Sequence, residues 1–472
     1  MTQFKEQGGV STMDPPAYKR WIASQMLKNY VSFSATDKRR VKAEKYRIQA
    51  QLPHIVEYFH YVKDPYSHLA GQILQTFAAR YNVEITCHLV SEPPGDNAPE
   101  LDMLMALSRY DAHQIAPFYG LRFPERTAPP NAGLAKFATQ ILASQNSHNF
   151  IACAAQVGAA LWSDDEQRLQ QLAKQYGSAS PDEATGQIVV GNNRRAELKH
   201  YSGAMFYFAG EWYWGVDRLQ HLETRLAELG ADTQPQNNLL APRPDTPMGP
   251  LRDNGSLTLE VFPTLRSPYS AIIFDRAVAL ARETGVKLVL RPVLPMVMRG
   301  VPTTAIKGPY IFWDAGREAR AAGVPFGNIY DPVGEPVRRC CSLIPWAIEQ
   351  EKGAELISAF YRCAFVDGIN TNNNRGMRKA VEQAGLNWGE ALVRIGNHEG
   401  ARMLEENRLS LYDAGIWGTP GFRLLDSKGR QLLALWGQDR LWRIAHEIQR
   451  CLEINNNAES STRHDLLATG KS

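Results

Sequence analysis

The 472-residue sequence lacks most of the features that would mark a specialised class. It has no apolar run of about 18 residues, so no segment reads as a membrane span. Its opening, MTQFKEQGGVSTMDPPAYKRW, has neither an apolar core nor a small-residue cleavage site, and no secretory signal is expected. The six cysteines form no C-x-x-C, and adjacent Cys340 and Cys341 suit neither an ordinary disulfide nor a zinc site. That usage predicts no metal and a reduced, cytoplasmic protein whose cysteines are mostly structural. Charge bias is missing too: a net +3 gives no push towards nucleic acid or an anionic membrane. With 44% hydrophobic and 21% charged residues, an ordinary globular chain is left. Its length suggests roughly two to four domains.

What the chain does have is one joint written twice. YVKDPYSHLAGQIL (61–74) and TLRSPYSAIIFDRA (264–277) share Pro-Tyr-Ser 203 positions apart, with Asp64 before the first proline and Ser267 before the second. A strand-like run precedes each turn, HIVEYFHYV (54–62) and LTLEVFPTL (257–265), and a helical stretch follows each. Second strands read at VEITCHLV (83–90) and VKLVLRPV (286–293), and Asp111 matches Asp314 at the same offset. Both repeats close on a hairpin and a helix opened by nearly the same words, WGVDRLQHL from Trp214 and WGQDRLWRI from Trp436. The order in each repeat is strand, helix, strand, a long helical middle, hairpin and helix. We therefore expect an α/β chain made by internal duplication into two thioredoxin-like domains, each with a helical insertion. Domain one spans 50–230 and domain two 256–455, joined by a Pro- and Asn-rich linker at 231–255. Residues 1–49 form an N-terminal extension with a basic helical segment, and 456–472 read as a polar, disordered tail.

Four motifs of the second repeat agree in order. They are Ser267-Pro268-Tyr269-Ser270; Lys307, Tyr310, Asp314 and Arg317 at helical spacing; Gly418-Thr419-Pro420; and Trp436-Gly437-Gln438-Asp439-Arg440. Through them, residues 257–450 resemble the 2-hydroxychromene-2-carboxylate isomerase and kappa-class glutathione transferase family, a DsbA-like branch of the thioredoxin fold. The resemblance implies glutathione as cofactor and a small electrophilic substrate, aromatic-derived in the family's isomerases. It makes Ser267 the catalytic residue that hydrogen-bonds the glutathione sulfur. Such a hydroxyl and the positive end of a helix both favour the thiolate of a group titrating near about 8.5. A serine there also serves as an ordinary N-cap. Thr419 and Pro420 resemble the family's cis-proline loop, which pairs with the backbone of an extended peptide. Gln438 and Asp439 resemble its glutamyl-binding pair, Asp439 being equally a plain capping residue. Lys307 would meet an anionic substrate or the glycine carboxylate, or sit solvated on the surface. Asp314 and Arg317 read as a structural ion pair.

Two positions depart from the family. Thr264 stands where an aspartate is common, and 328–339 (NIYDPVGEPVRR) offers no clear match to an asparagine often found there. In repeat one the site has changed further: Asp64 replaces the serine, Ala204 falls where Pro420 stands, and Val216 replaces Gln438. A carboxylate beside a thiolate would raise its pKa, opposing the reaction. Repeat one therefore reads as a pseudo-domain. Because family members often pair as homodimers, it would act as a built-in partner in an intramolecular pseudo-dimer, further homodimerisation being left open. The alternatives are a DsbA-family protein-disulfide oxidoreductase and a non-catalytic peptide- or partner-binding protein. The first needs a cysteine at the helix tip, which both turns lack.

Overall fold

The structure, a computed structural model, describes residues 13–126, 128–301 and 304–469. Two compact units divide the chain: an N-terminal one of 33–244 with 304–307, and a C-terminal one built mainly from 245–303 and the residues from Gly308 onward. The expected extension is shared between them. Helix α1 (Ala17–Val31) belongs to the C-terminal unit and α2 (Phe33–Gln49) to the N-terminal one, while residues 1–12 lie outside the described residues.

In the N-terminal unit, β1 (Ile55–His60), α3 (Pro65–Arg80), β2 (Glu84–Leu89) and α4 (Leu101–Ile115) come first. Helices α5 (Ala132–Ala143), α6 (Ser147–Trp162), α7 (Glu166–Tyr176) and α8 (Pro181–Glu197) form the insertion. The unit closes on β3 (Met205–Phe208), β4 (Glu211–Trp214) and α9 (Gly215–Glu228). The sheet order is β2-β1-β3-β4, with β1 parallel to β2 and antiparallel to β3.

The C-terminal unit follows the same plan: β5 (Leu257–Phe262), α10 (Pro268–Thr284), β6 (Lys287–Leu290) and α11 (Lys307–Ala321). Its insertion continues with α12 (Glu335–Glu349), α13 (Gly353–Tyr361), α14 (Asn374–Gln383), α15 (Trp388–Leu392) and α16 (His398–Asp413). It ends with β7 (Gly421–Asp426), β8 (Gln431–Trp436) and α17 (Leu441–Thr469). Its order, β6-β5-β7-β8, repeats that of the first sheet, with the same parallel and antiparallel pairings. The α/β expectation, two four-stranded sheets with helical insertions, is met. Helix α17 continues to Thr469, into the polar segment from 456 onward. Residues 456–469 contain neither glycine nor proline, so nothing in the backbone stops the helix before Gly470.

The central strands β1 and β5 are rich in β-branched and aromatic residues, and each is buried along most of its length. Each carries one buried glutamate at the same register, Glu57 and Glu260. Such a charge persists inside only when paired. Arg194 donates to both Glu57 oxygens at 2.8 Å, and Arg291 and Arg423 hold Glu260. Burial pushes the Glu57 carboxyl up, but Arg194 and His88 more than reverse this and bring it to about 2. Helix α10 starts at a proline, whose missing N–H is no loss in a first turn, and stops at Gly285 in the left-handed region (φ +72°). It buries Ile273, Phe274 and Leu280 against the core, each worth about 1.5–3 kcal/mol.

Candidate functional site

One row across the second sheet positions the residues of interest: Phe262 pairs with Gly421, and Gly421 with Trp436. Just past this row β5 leads towards Ser267, β7 is entered from Pro420, and β8 leads into the turn at Gln438–Arg440. The Gly437 N–H donates to the Pro420 carbonyl oxygen at 2.8 Å, tying two of these loops together, and α10 packs against the 438–440 turn. The Thr419–Pro420 peptide bond is cis. Gly418 is required by close approach, because a Cβ there would sit 2.8 Å from the Trp436 indole nitrogen. The structure thus brings Ser267, Thr419, Pro420, Gln438 and Asp439 to one end of the sheet.

Ser267 is the half-buried N-cap of α10, and its Oγ accepts from the Ser270 N–H at 3.2 Å. Capping uses a lone pair of the hydroxyl. Its proton has no acceptor among the described residues, so capping and donation to a ligand do not compete. The Ser267 N–H donates to the Thr264 carbonyl at 3.0 Å, which also accepts from the Tyr361 hydroxyl at 3.0 Å. The Thr264 hydroxyl is buried with no partner among the described residues. Next to Ser267, Arg266 makes a two-pronged ion pair with buried Asp331, Nε to Oδ1 at 3.0 Å and Nη2 to Oδ2 at 2.9 Å. Burial pushes the Asp331 carboxyl up, but the Arg266 guanidinium outweighs it and holds it below the usual carboxylate range.

The Gln438 amide donates to Oε2 of Glu318 at 2.6 Å and also to Asp439. Glu318, on α11, is fully buried. The expected Asp314–Arg317 ion pair forms, and Asp314 also accepts from the Tyr269 hydroxyl at 2.7 Å. Lys307 groups with the N-terminal unit, where its ammonium donates to the Asn97 carbonyl at 2.8 Å. Burial pushes its pKa down to about 8.

The matching positions of the N-terminal unit are differently used. Asp64 caps α3 with both oxygens, accepting from the Tyr66 and Ser67 N–H groups and, at 2.8 Å, from the Ser67 hydroxyl. Burial pushes its carboxyl up to about 6, with these bonds acting the other way. Ala204 donates its N–H to Ser67 Oγ at 2.9 Å, a bond that proline at 420 cannot make. Its carbonyl accepts from Gly215 at 2.7 Å, as Pro420 does from Gly437. Tyr66 donates to Asp111 at 2.7 Å, the counterpart of Tyr269 and Asp314. At the offset of 203, Glu318 corresponds to Ile115, so buried Ile115 and Val216 stand where the other unit has Glu318 and Gln438.

Sequence reasoning missed Glu318 and the Arg266–Asp331 pair. Glu318 lies one turn beyond Asp314 on the same helix, but that spacing alone does not tell a buried glutamate from a solvated one. Asp331 sits in the 328–339 stretch that has no motif match. Among the described residues no cluster of ligands fit for a metal exists, and no helix is long and apolar enough to cross a membrane.

Residues 258–449 match the family described as the DSBA-like thioredoxin domain. No curated protein matches the chain. Among solved structures it is similar to a 2-hydroxychromene-2-carboxylate isomerase, at 17% identity and a TM-score of 0.35, over 43% of this chain and 98% of that one. It is also similar to the cytosolic disulfide reductase DsbM from Pseudomonas aeruginosa, at 21% identity and a TM-score of 0.32, over 41% of this chain and 99% of that one.

Proposed function

We propose that the C-terminal unit is a glutathione-dependent isomerase or transferase site for a small electrophile, working in the cytoplasm. The observation that carries this reading is Ser267, which caps α10 with a lone pair and leaves its hydroxyl proton without an acceptor among the described residues, so that a sulfur could take it. A thiol placed there meets a hydroxyl donor and the positive end of a 17-residue helix, both of which favour the thiolate. Each pKa unit of lowering is worth about 1.4 kcal/mol. The thiolate then adds to the electrophile and either stays as a conjugate or leaves after a bond has rotated. Thr419 and Pro420 would border the peptide backbone of glutathione, with Asp439 and Gln438 at its glutamyl end. Lys307 is the weakest member of the set, because its ammonium already serves Asn97.

Dithiol exchange is the competing chemistry, and the cysteines oppose it. Burial pushes every one of the six thiols up, Cys341 to about 12 and Cys153 and Cys363 to about 11, so none is poised as a thiolate. The shared strand order and the equivalent tyrosine–aspartate bonds support a duplication. In that reading the N-terminal unit has kept the fold as a partner domain and lost the site.

Calorimetric titration with glutathione and turnover of an aryl halide or a cis/trans-isomerisable enone test the proposal. Ser267→Ala should keep the fold, costing about 1 kcal/mol of cap. It should lose about 10- to 100-fold in glutathione-dependent rate, 1.4–2.7 kcal/mol of transition-state stabilisation. An unchanged rate in Ser267→Ala would sink the mechanism.

A further inference from the structure

Helix α1 lies more than 200 residues before the C-terminal unit in sequence, yet it is built into that unit. Arg20 is 1% exposed, and a guanidinium that deep needs partners on most of its donors. Its Nη1 donates to the carbonyls of Asp331 (3.2 Å) and Val333, and its Nη2 to Asp14 Oδ1 (2.8 Å) and the Pro15 carbonyl (3.3 Å). Ser24, fully buried, takes the Asp331 N–H on its Oγ at 3.0 Å and returns its own proton to the Arg20 carbonyl at 2.7 Å. Asp14 Oδ1 also accepts the Glu335 N–H at 3.0 Å. It thereby caps α12, whose own N-cap residue, Gly334, has no side chain to do so. Gly334 has φ +87°, and a Cβ there would come 2.3 Å from that Asp14 oxygen, so the approach depends on glycine. Further along α1, Val31 is buried in the core of the unit, facing Gly316 and Gly327.

The hydrogen bonds that Arg20, Ser24 and Asp14 make beyond their own segment converge on 331–335, and Asp331 is the residue that holds Arg266, whose peptide bond leads into Ser267. We propose that α1 is a positioning element for the Ser267 turn. Arg20 and Ser24 fix the backbone of the Asp331 loop, Asp331 fixes Arg266, and Arg266 fixes the approach to the N-cap. In the N-terminal unit the residue matching Arg266 is Lys63, an exposed side chain 5.8 Å over the Tyr61 ring, and no carboxylate is recorded on it among the described residues. The lock accompanies the unit that carries the serine. This inference rests on the reading of Ser267 as a sulfur ligand only for its catalytic consequence; the coupling from α1 to the turn stands apart from it.

The test uses the full-length chain as Arg20→Ala, with Ser24→Ala as the milder variant should the first fail to fold. Hydrogen exchange without glutathione reads the coupling, and the pH dependence of thiolate absorbance with glutathione bound reads its consequence. Arg20→Ala should speed exchange about 10-fold at 331–335 and at the amides of Ser267, Ser270 and Ala271, leaving the β7–β8 hairpin unchanged. The midpoint for thiolate formation should move to higher pH, with Ser24→Ala shifting the same way by less, and Arg20→Lys recovering part of the protection. Faster exchange at 331–335 with wild-type protection at 267–271 and an unmoved midpoint would overturn the proposal, leaving α1 a purely structural strap. If the wild type binds no glutathione but exchange at 267–271 still responds, the coupling stands and the sulfur-binding reading falls.

Discussion

The tips of α3 and α10 are built on the same plan and put to opposite use. Each has a proline in its first turn, a tyrosine donating to an aspartate 45 residues on at 2.7 Å, and a serine whose hydroxyl takes a backbone N–H from the residue six before it. In the N-terminal unit the capping residue is a carboxylate with both oxygens occupied, and the Ala204 N–H closes onto Ser67. In the C-terminal unit the cap is a hydroxyl with a proton to spare, and Pro420, which stands where Ala204 does, has no N–H to give to Ser270 as Ala204 gives one to Ser67. The first tip is satisfied from within; the second is not. The same contrast recurs one layer away, where buried Ile115 and Val216 replace buried Glu318 and Gln438. Buried polar groups without a use tend to be replaced by apolar ones, since a packed apolar pair costs nothing in desolvation. Their retention in one unit is what a working site predicts.

The largest effect should come from importing the N-terminal residue at the tip. Ser267→Asp keeps a good cap, so the fold should stand. The carboxylate would face the sulfur and raise its pKa, and glutathione-dependent turnover should fall about 100-fold or more, beyond the loss in Ser267→Ala. Rates for the two variants side by side check this. Equal rates in Ser267→Asp and wild type would mean that the two tips do not differ in the way their hydrogen bonds indicate.

Much of this contrast could be read from residues alone, and the reasons are local. The strands β1 and β5 announce themselves by β-branched and aromatic runs, and each Pro-Tyr-Ser turn marks a helix start within the chain's own grammar. Ser267, Pro420 and Gln438 stand out as candidates because short motifs carry them. Glu318 and Arg20 do not, because nothing local distinguishes a glutamate buried against a glutamine 120 residues away from one in solvent. The link from Arg20 to Asp331 spans 311 positions and runs partly to backbone carbonyls, which leave no trace in side-chain pattern. The helical run to Thr469 follows from the absence of any glycine or proline in 456–469, which the polar composition of that segment does not show.

A second, intermediate effect tests the inner layer. Gln438→Val takes a buried donor away from the Glu318 carboxylate and should cost about 2 kcal/mol of stability in the C-terminal unit. Adding Glu318→Ile reproduces the N-terminal pair, and the double variant should be more stable than Gln438→Val alone. Denaturant unfolding of both single variants and the double, analysed as a cycle, measures the coupling. Additive costs would show that the two side chains are not energetically paired, and the apolar pair in the other unit would then be coincidence. Glutathione affinity should stay low in the double variant even where stability returns, which separates the role of the pair in binding from its role in packing.

The smallest effect is expected at Asp64, and its sign depends on pH. Asp64→Ser keeps a cap of similar strength, so stability near neutrality should change by less than about 1 kcal/mol. Burial has raised the Asp64 carboxyl from 3.8 to about 6, so its contribution is fully present below pH 3.8 and is lost as pH rises through 6. His60 and His68 act the other way. Burial lowers them from 6.5 to about 3 and about 4, so their contribution is present above pH 6.5 and is lost as pH falls towards those values. Two imidazoles outweigh one carboxyl, and the N-terminal unit should weaken on acidification from pH 6.5 to 4. Asp64 partly offsets that loss in the wild type, because its carboxyl takes up a proton in the fold over the same interval. Asp64→Ser removes the offset, so exchange protection of the β1 and β2 amides should collapse at a higher pH than in the wild type. The same pH profile in both chains would show that the Asp64 carboxyl titrates as an exposed one, and the first tip would no longer be the closed counterpart of the second.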